Sequence, residues 1–230
     1  MRDLPRTRLA TAVLTAVSGL AAAGSSPGEG PHRSPIALAV SADGALLLTA
    51  NQTSGSVSLV DTRSARVLDE VPAGEKPAGV ALSRDGARGV VTLWYGSDLA
   101  VLDVGPDRLQ VVGRVEVGPE PRGVALVPDG KTAFVAAGVS NEVVRVDLDA
   151  REVTGRLAVG REPRGLALSA DGERLLVGNA RSKDLSVIAV GTWTVERTLA
   201  VEGDNLRQVA LAPDGRTGYV ANMKNRGFAT

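Results

Sequence analysis

Along most of the chain, apolar residues come in short Val-, Leu- and Ala-rich runs separated by turns containing Gly, Asp or Pro. Strict alternation of apolar and polar positions is absent, and stretches such as Val124-Ala125-Leu126-Val127 are apolar throughout. Short runs rich in β-branched residues and bounded by turn residues predict strands. Runs without alternation predict strands covered on both faces.

The runs are organised by a repeat. Asp-Gly recurs at Asp43-Gly44, Asp85-Gly86, Asp129-Gly130, Asp171-Gly172 and Asp214-Gly215, at spacings of 42, 44, 42 and 43 residues. An apolar run precedes each pair. A period near 42 is that of a propeller blade, and recurrence at five registers excludes coincidence. In the third unit the four expected strands are residues 123–127, 132–137, 142–147 and 153–159. Asp-Gly joins the first two as an antiparallel hairpin, since Gly takes the positive φ of a tight turn and Asp bonds the local backbone. The expected fold is an all-β propeller of four-stranded antiparallel blades, whose face-to-face packing removes the need for alternation. Blades are expected at 35–76, 77–120, 121–162 and 163–204, with a partial one at 205–230. The first unit already has four strands, so the final hairpin has no incomplete blade to join. The propeller is therefore expected to be incomplete and the chain truncated at Thr230, with sheet faces exposed at both ends.

The second strand of several units ends in Leu48-Thr49-Ala50-Asn51, Leu176-Val177-Gly178-Asn179 or Tyr219-Val220-Ala221-Asn222. Together with the upstream Asp-Gly and endings such as Val115 to Pro121, these segments resemble the YVTN β-propeller repeat family over residues 35–226. The resemblance implies a bacterial, extracytoplasmic propeller, and it ranges over surface modules, propellers preceding a c-type haem domain, and lactonase-like or quinoprotein enzymes. Fold does not choose among them. Leu93 and Ala137 stand where the motif Asn is expected in two units, which argues against one uniform Asn site. Asn51, Asn179 and Asn222 are read as amides satisfying backbone groups at strand ends.

The first residues carry an address rather than part of the fold. Arg2, Arg6 and Arg8 precede an uncharged stretch at 9–20 and then Ala21-Ala22-Ala23, the pattern of a secretory signal peptide at 1–23. The Gly-, Pro- and Ser-rich residues 24–34 follow as a linker. Export to the periplasm or cell surface is expected, with no membrane span after cleavage.

Composition narrows the chemistry. Lys plus Arg and Asp plus Glu number 26 each, so no basic surface points to nucleic acid. There is no cysteine, one histidine, and only two each of Trp, Tyr and Phe. Disulfides, thiolate zinc sites and covalent haem in this chain are excluded. His32 lies in the linker, so a Ser/His/Asp set has no base. Gly130-Lys131-Thr132 matches the tail of a phosphate loop but falls in a hairpin turn, with Ala125 where the loop's first Gly is required. Glu116 with Glu120, and Asp147 with Asp149, are read as solvated turn acids. No catalytic residue, metal ligand or cofactor is expected in this chain.

Two features remain as candidate binding residues. Trp94-Tyr95 replaces the usual motif at the end of a second strand, where it could line a pocket or pack between blades. Arg122, Arg164 and Arg207 each stand seven residues before an Asp-Gly pair, whereas the first two blades have Ile36 and Ala78 there. That position borders the mouth of a propeller's channel, so the three are expected either to form a partial positive arc for an anionic group or to staple blades through Glu120, Glu162 or backbone carbonyls. The resulting expectation is a binding or scaffolding module for a protein or surface polymer, with an anionic ligand included. The alternatives are the propeller portion of a larger redox enzyme with a haem domain beyond residue 230 and a lactonase-like hydrolase.

Overall fold

The computed structural model describes residues 33–212, 215 and 217–223. The expected leader, most of the linker, His32 and Asp214 lie outside the described residues. The first sheet contains β1 (Pro35–Val40), β2 (Leu46–Asn51), β3 (Ser56–Asp61) and β4 (Arg66–Pro72). The second contains β5 (Pro77–Leu82), β6 (Arg88–Leu93), β7 (Asp98–Val104) and β8 (Leu109–Glu116). β9 (Pro121–Leu126), β10 (Thr132–Ala137), β11 (Glu142–Asp147) and β12 (Glu152–Ala158) form the third, and β13 (Pro163–Leu168), β14 (Arg174–Asn179), β15 (Asp184–Ala189) and β16 (Thr194–Ala200) the fourth. β17 (Leu206–Leu211) and β18 (Gly218–Asn222) pair alone. Every sheet is an antiparallel meander in chain order. Among the described residues the fold is an all-β propeller arc of four blades and one hairpin.

The core lies between blades, which explains the missing alternation. In β6, Val90 packs against Val135 and Val144 of the third blade, while Val91 and Leu93 pack against Leu48 and Leu59 of the first. β7 divides likewise, with Leu99 and Val101 on one face and Ala100 and Leu102 on the other. Phe134 of β10 turns to Leu175, Val177 and Ile188 of the fourth blade, and its neighbours Ala133 and Val135 turn to the second. Both faces of an inner strand are thus removed from water, at about 1.5–3 kcal/mol for each large side chain. Trp193 extends the third interface by stacking on Phe134, with centroids 5.5 Å apart.

The Asp-Gly hairpins have the expected chemistry. Gly44, Gly86, Gly130, Gly172 and Gly215 have φ of 72, 73, 72, 76 and 65°. Asp43, Asp85, Asp129 and Asp171 accept the backbone N–H two residues on at 3.0, 3.1, 2.9 and 3.0 Å. Ser41, Ser83 and Ser169 add a hydroxyl bond to the same carboxylates. This bond, followed by the amide bond, holds Asp43, Asp85 and Asp171 below the usual carboxylate range. Gly130-Lys131-Thr132 belongs to the third of these turns. Across blades, Arg88 Nη1 donates to the Gly130 carbonyl at 3.1 Å and pairs with Asp149 at 2.6 Å. Asp147 accepts two turn amides at 2.9 Å.

Candidate functional site

The first strands of consecutive blades, β1, β5, β9, β13 and β17, run side by side. The chain enters each through a residue with positive φ, namely Ser34, Lys76, Glu120, Glu162 and Asn205. The carbonyls of these residues accept N–H bonds from Gln52, Trp94, Gly138, Ala180 and Met223 after the second strands. A register shift then follows in every first hairpin. Pairing resumes at Ala37, Val80, Val124, Gly165 and Gln208, so Ile36, Arg164 and Arg207 are the extra residues of β-bulges and Arg122 lies in the equivalent one. A bulge breaks the ladder locally and re-aims a side chain. The arginines are therefore second residues of β9, β13 and β17, not residues of the preceding connection as the sequence suggested.

One cavity of about 590 Å³ collects these positions. Its lining includes Arg122, Arg164, Arg207 and Gln208 together with Pro35, Ile36, Ala37, Leu38, Ala78 and Val80. Thr49 and Gln52 also reach it.

The local environment differs from one arginine to the next. Glu120-Pro121-Arg122-Gly123 recurs as Glu162-Pro163-Arg164-Gly165, and in both the acid pairs with the arginine two residues on. Arg122 Nη2 donates to Glu120 at 3.2 Å. Arg164 donates from Nε at 2.9 Å and from Nη2 to Glu162. In the fifth unit the tetrapeptide is Asn205-Leu206-Arg207-Gln208. The acid is absent, and Arg207 is exposed and without an ion pair among the described residues. In each pair the acid stands in the connection between two blades, two residues before the arginine of the strand that follows.

The inter-blade contact of the site is a different one. The Arg122 guanidinium carbon lies 4.0 Å from the centre of the Trp94 ring, which belongs to the second blade. Stacking covers one face of the cation, and its Nε is buried without a hydrogen-bond partner. Burial, and then the nearby Arg164, push the Arg122 pKa down. A guanidinium keeps its charge in any protein, so two adjacent cations persist at the wall. The Arg122 carbonyl is also tied to the second blade, accepting the buried Thr92 hydroxyl at 2.6 Å.

Trp94 and Tyr95 do not line this cavity. Trp94 reaches the site only by supporting Arg122. Tyr95 is 61% exposed, with its ring centroid 5.1 Å from that of Trp94. The asparagines also differ from expectation, because their partners are side chains. Asn51 Nδ2 donates to Ser56 and Ser58 at 3.1 and 2.8 Å. Asn179 Nδ2 donates to Asp184 and Ser186 at 2.6 and 2.9 Å. Both are fully buried and tie the second strand to the third, whereas Asn222 of the last hairpin is exposed.

Gly79, Gly123 and Gly165 have a role that sequence reasoning missed. A Cβ on Gly123 would collide with the Arg164 carbonyl oxygen, and one on Gly165 would lie 2.9 Å from Val209 N and 3.0 Å from Gln208 Cα. Glycine at this position lets neighbouring first strands approach closely enough to bring the arginines together. The repeated Pro-Arg-Gly triplet was the available signal. Among the described residues, no group of three or more His, Asp or Glu side chains is placed to hold a metal ion. No helix among them is long and apolar enough to cross a membrane.

The model of the YNCE-like beta-propeller family matches residues 27–131. Among solved structures, the chain is similar to Kuenenia stuttgartiensis hydrazine synthase, with 27% sequence identity and a TM-score of 0.79. That match covers 90% of this chain and 61% of the other, so the chain spans under two thirds of the protein it resembles. No curated protein sequence matches significantly.

Proposed function

We propose that this β-propeller repeat protein of the YVTN type is an exported binding module whose channel mouth recognises an anionic group on a protein or surface polymer. The observation that carries the reading is the convergence of Arg122, Arg164 and Arg207, from three successive blades, on one cavity. Guanidinium groups present planar forks that match carboxylate geometry. A concave, partly desolvated wall strengthens their field over that of scattered surface charges. Export rests on the leader pattern at residues 1–23 and is tested by sequencing the secreted N-terminus, expected near Gly24.

The functional test is replacement of all three arginines by Ala, followed by calorimetric titration with acetate, inorganic phosphate and an acidic peptide. Loss of binding in a folded variant supports the reading. Unchanged binding with lowered stability leaves the arginines a structural role only. The similarity to hydrazine synthase favours a second reading, in which this propeller is one portion of a larger redox enzyme. A reading frame that continues past Thr230 into a Cys-x-x-Cys-His motif would establish that version.

A further inference from the structure

The lining of the channel mouth combines cationic and apolar side chains. Its cationic part carries three arginines, two of which already have carboxylate partners in Glu120 and Glu162. Among the described residues one of these positive charges remains uncompensated, that of Arg207, where Asn205 replaces the acid that the two preceding blades supply at this position. The donors follow the same division. Arg122 has Nη2 on Glu120 and a buried Nε, and Arg164 has Nε and Nη2 on Glu162. Among the described residues each has Nη1 left over, whereas Arg207 keeps a whole fork. Ile36 and Leu38, 53% and 45% exposed, line the same cavity. Apolar side chains that remain open inside a concavity of about 590 Å³ are suited to an apolar part of a ligand.

We infer that the site takes a single carboxylate carried on an aliphatic stem, with Arg207 clamping the carboxylate and Ile36 and Leu38 receiving the stem. The inference rests on the anion-recognition reading above and narrows it. A polyanion fits poorly, because several phosphate charges would meet one uncompensated cation flanked by two glutamates. Among the described residues no aromatic face lines the cavity for a base to stack on. A carboxylate on an aliphatic stem can be a free acid or the carboxyl terminus of a peptide with an apolar last residue, and the test has an arm for each.

The experiment is calorimetry on the full chain with acetate, hexanoate, acetyl-Ala-Val-Leu and inorganic phosphate. Hexanoate or the peptide should bind at least about tenfold more tightly than acetate, from methylene burial. The tighter of the two assigns the source of the carboxylate. Arg207→Ala should weaken the tighter probe by about tenfold or more, as loss of a charge-assisted fork requires. Arg207 is exposed, so the circular dichroism spectrum should not change. The double substitution Ile36→Ser and Leu38→Ser should erase the advantage of hexanoate over acetate. Equal affinities for acetate and hexanoate, or phosphate binding more tightly than either, would overturn this inference and leave anion recognition standing. A folded chain that binds none of the four probes would overturn both.

Discussion

Replacing Gly123 by Ala probes the contact on which the site's geometry depends. The added Cβ would run into the Arg164 carbonyl oxygen, with Arg164 C and Leu166 N each 3.2 Å away. All three obstacles are backbone atoms of β13, so no rotamer change relieves the clash and one first strand must move. Overpacking of this kind costs about 1–3 kcal/mol, and a rigid backbone obstacle places Gly123→Ala near the upper end. For a chain of this length, about 3 kcal/mol corresponds to a melting midpoint lowered by about 6–12 °C. Gly191→Ala is the control, because a Cβ there meets nothing within 4 Å and no positive φ is involved. The assay is thermal denaturation of both variants followed by circular dichroism, with anion titration at 20 °C. Gly123→Ala should lose both stability and affinity, since moving β13 displaces Arg164, whereas the control should lie within about 0.5 kcal/mol of the parent. If the two variants melt together, the close approach of first strands does not set the channel geometry.

Other predictions address separate parts of the structure. Phe134→Ala should cost about 3–5 kcal/mol, because the ring is fully buried and carries Trp193 on its face, and Trp fluorescence should shift as the stack is lost. A double-mutant cycle between Trp94 and Arg122 should give a coupling of about 0.5–2 kcal/mol in denaturant unfolding. Asp43, Asp85 and Asp171 titrate lower when folded than when unfolded. Their contribution to stability is therefore complete above the unfolded value of about 3.9 and is lost as pH falls through the folded one. Melting midpoints should fall in that acid range, and Ser169→Ala should raise the Asp171 pKa in a carboxyl NMR titration.

The blade repeat was readable because its markers obey local rules. Gly at the Asp-Gly turns is required by positive φ, and the carboxylate two residues before each bonded amide is a short-range bond. The position of the three arginines in the repeat was equally visible, since the blade period carries equivalent residues to equivalent places. Their aim was not. It depends on a bulge, a mismatch between two strands that neither strand announces alone, although the Pro-Arg-Gly triplet marks it in retrospect. The stacking of Arg122 on Trp94 joins different blades and has no signature in either one. The asparagines were placed at strand ends, but their hydroxyl and carboxylate partners lie five and seven residues on, across a hairpin whose register must be known first.

The most direct test of the account is a crystal structure of the full chain with 6-bromohexanoate, located by the anomalous scattering of bromine. The carboxylate is expected within hydrogen-bond distance of Arg207, in the cavity shared with Arg122 and Arg164, and the bromine peak toward Ile36 and Leu38. An ordered ligand elsewhere on the molecule, or a channel mouth that stays empty at saturating ligand, would contradict it.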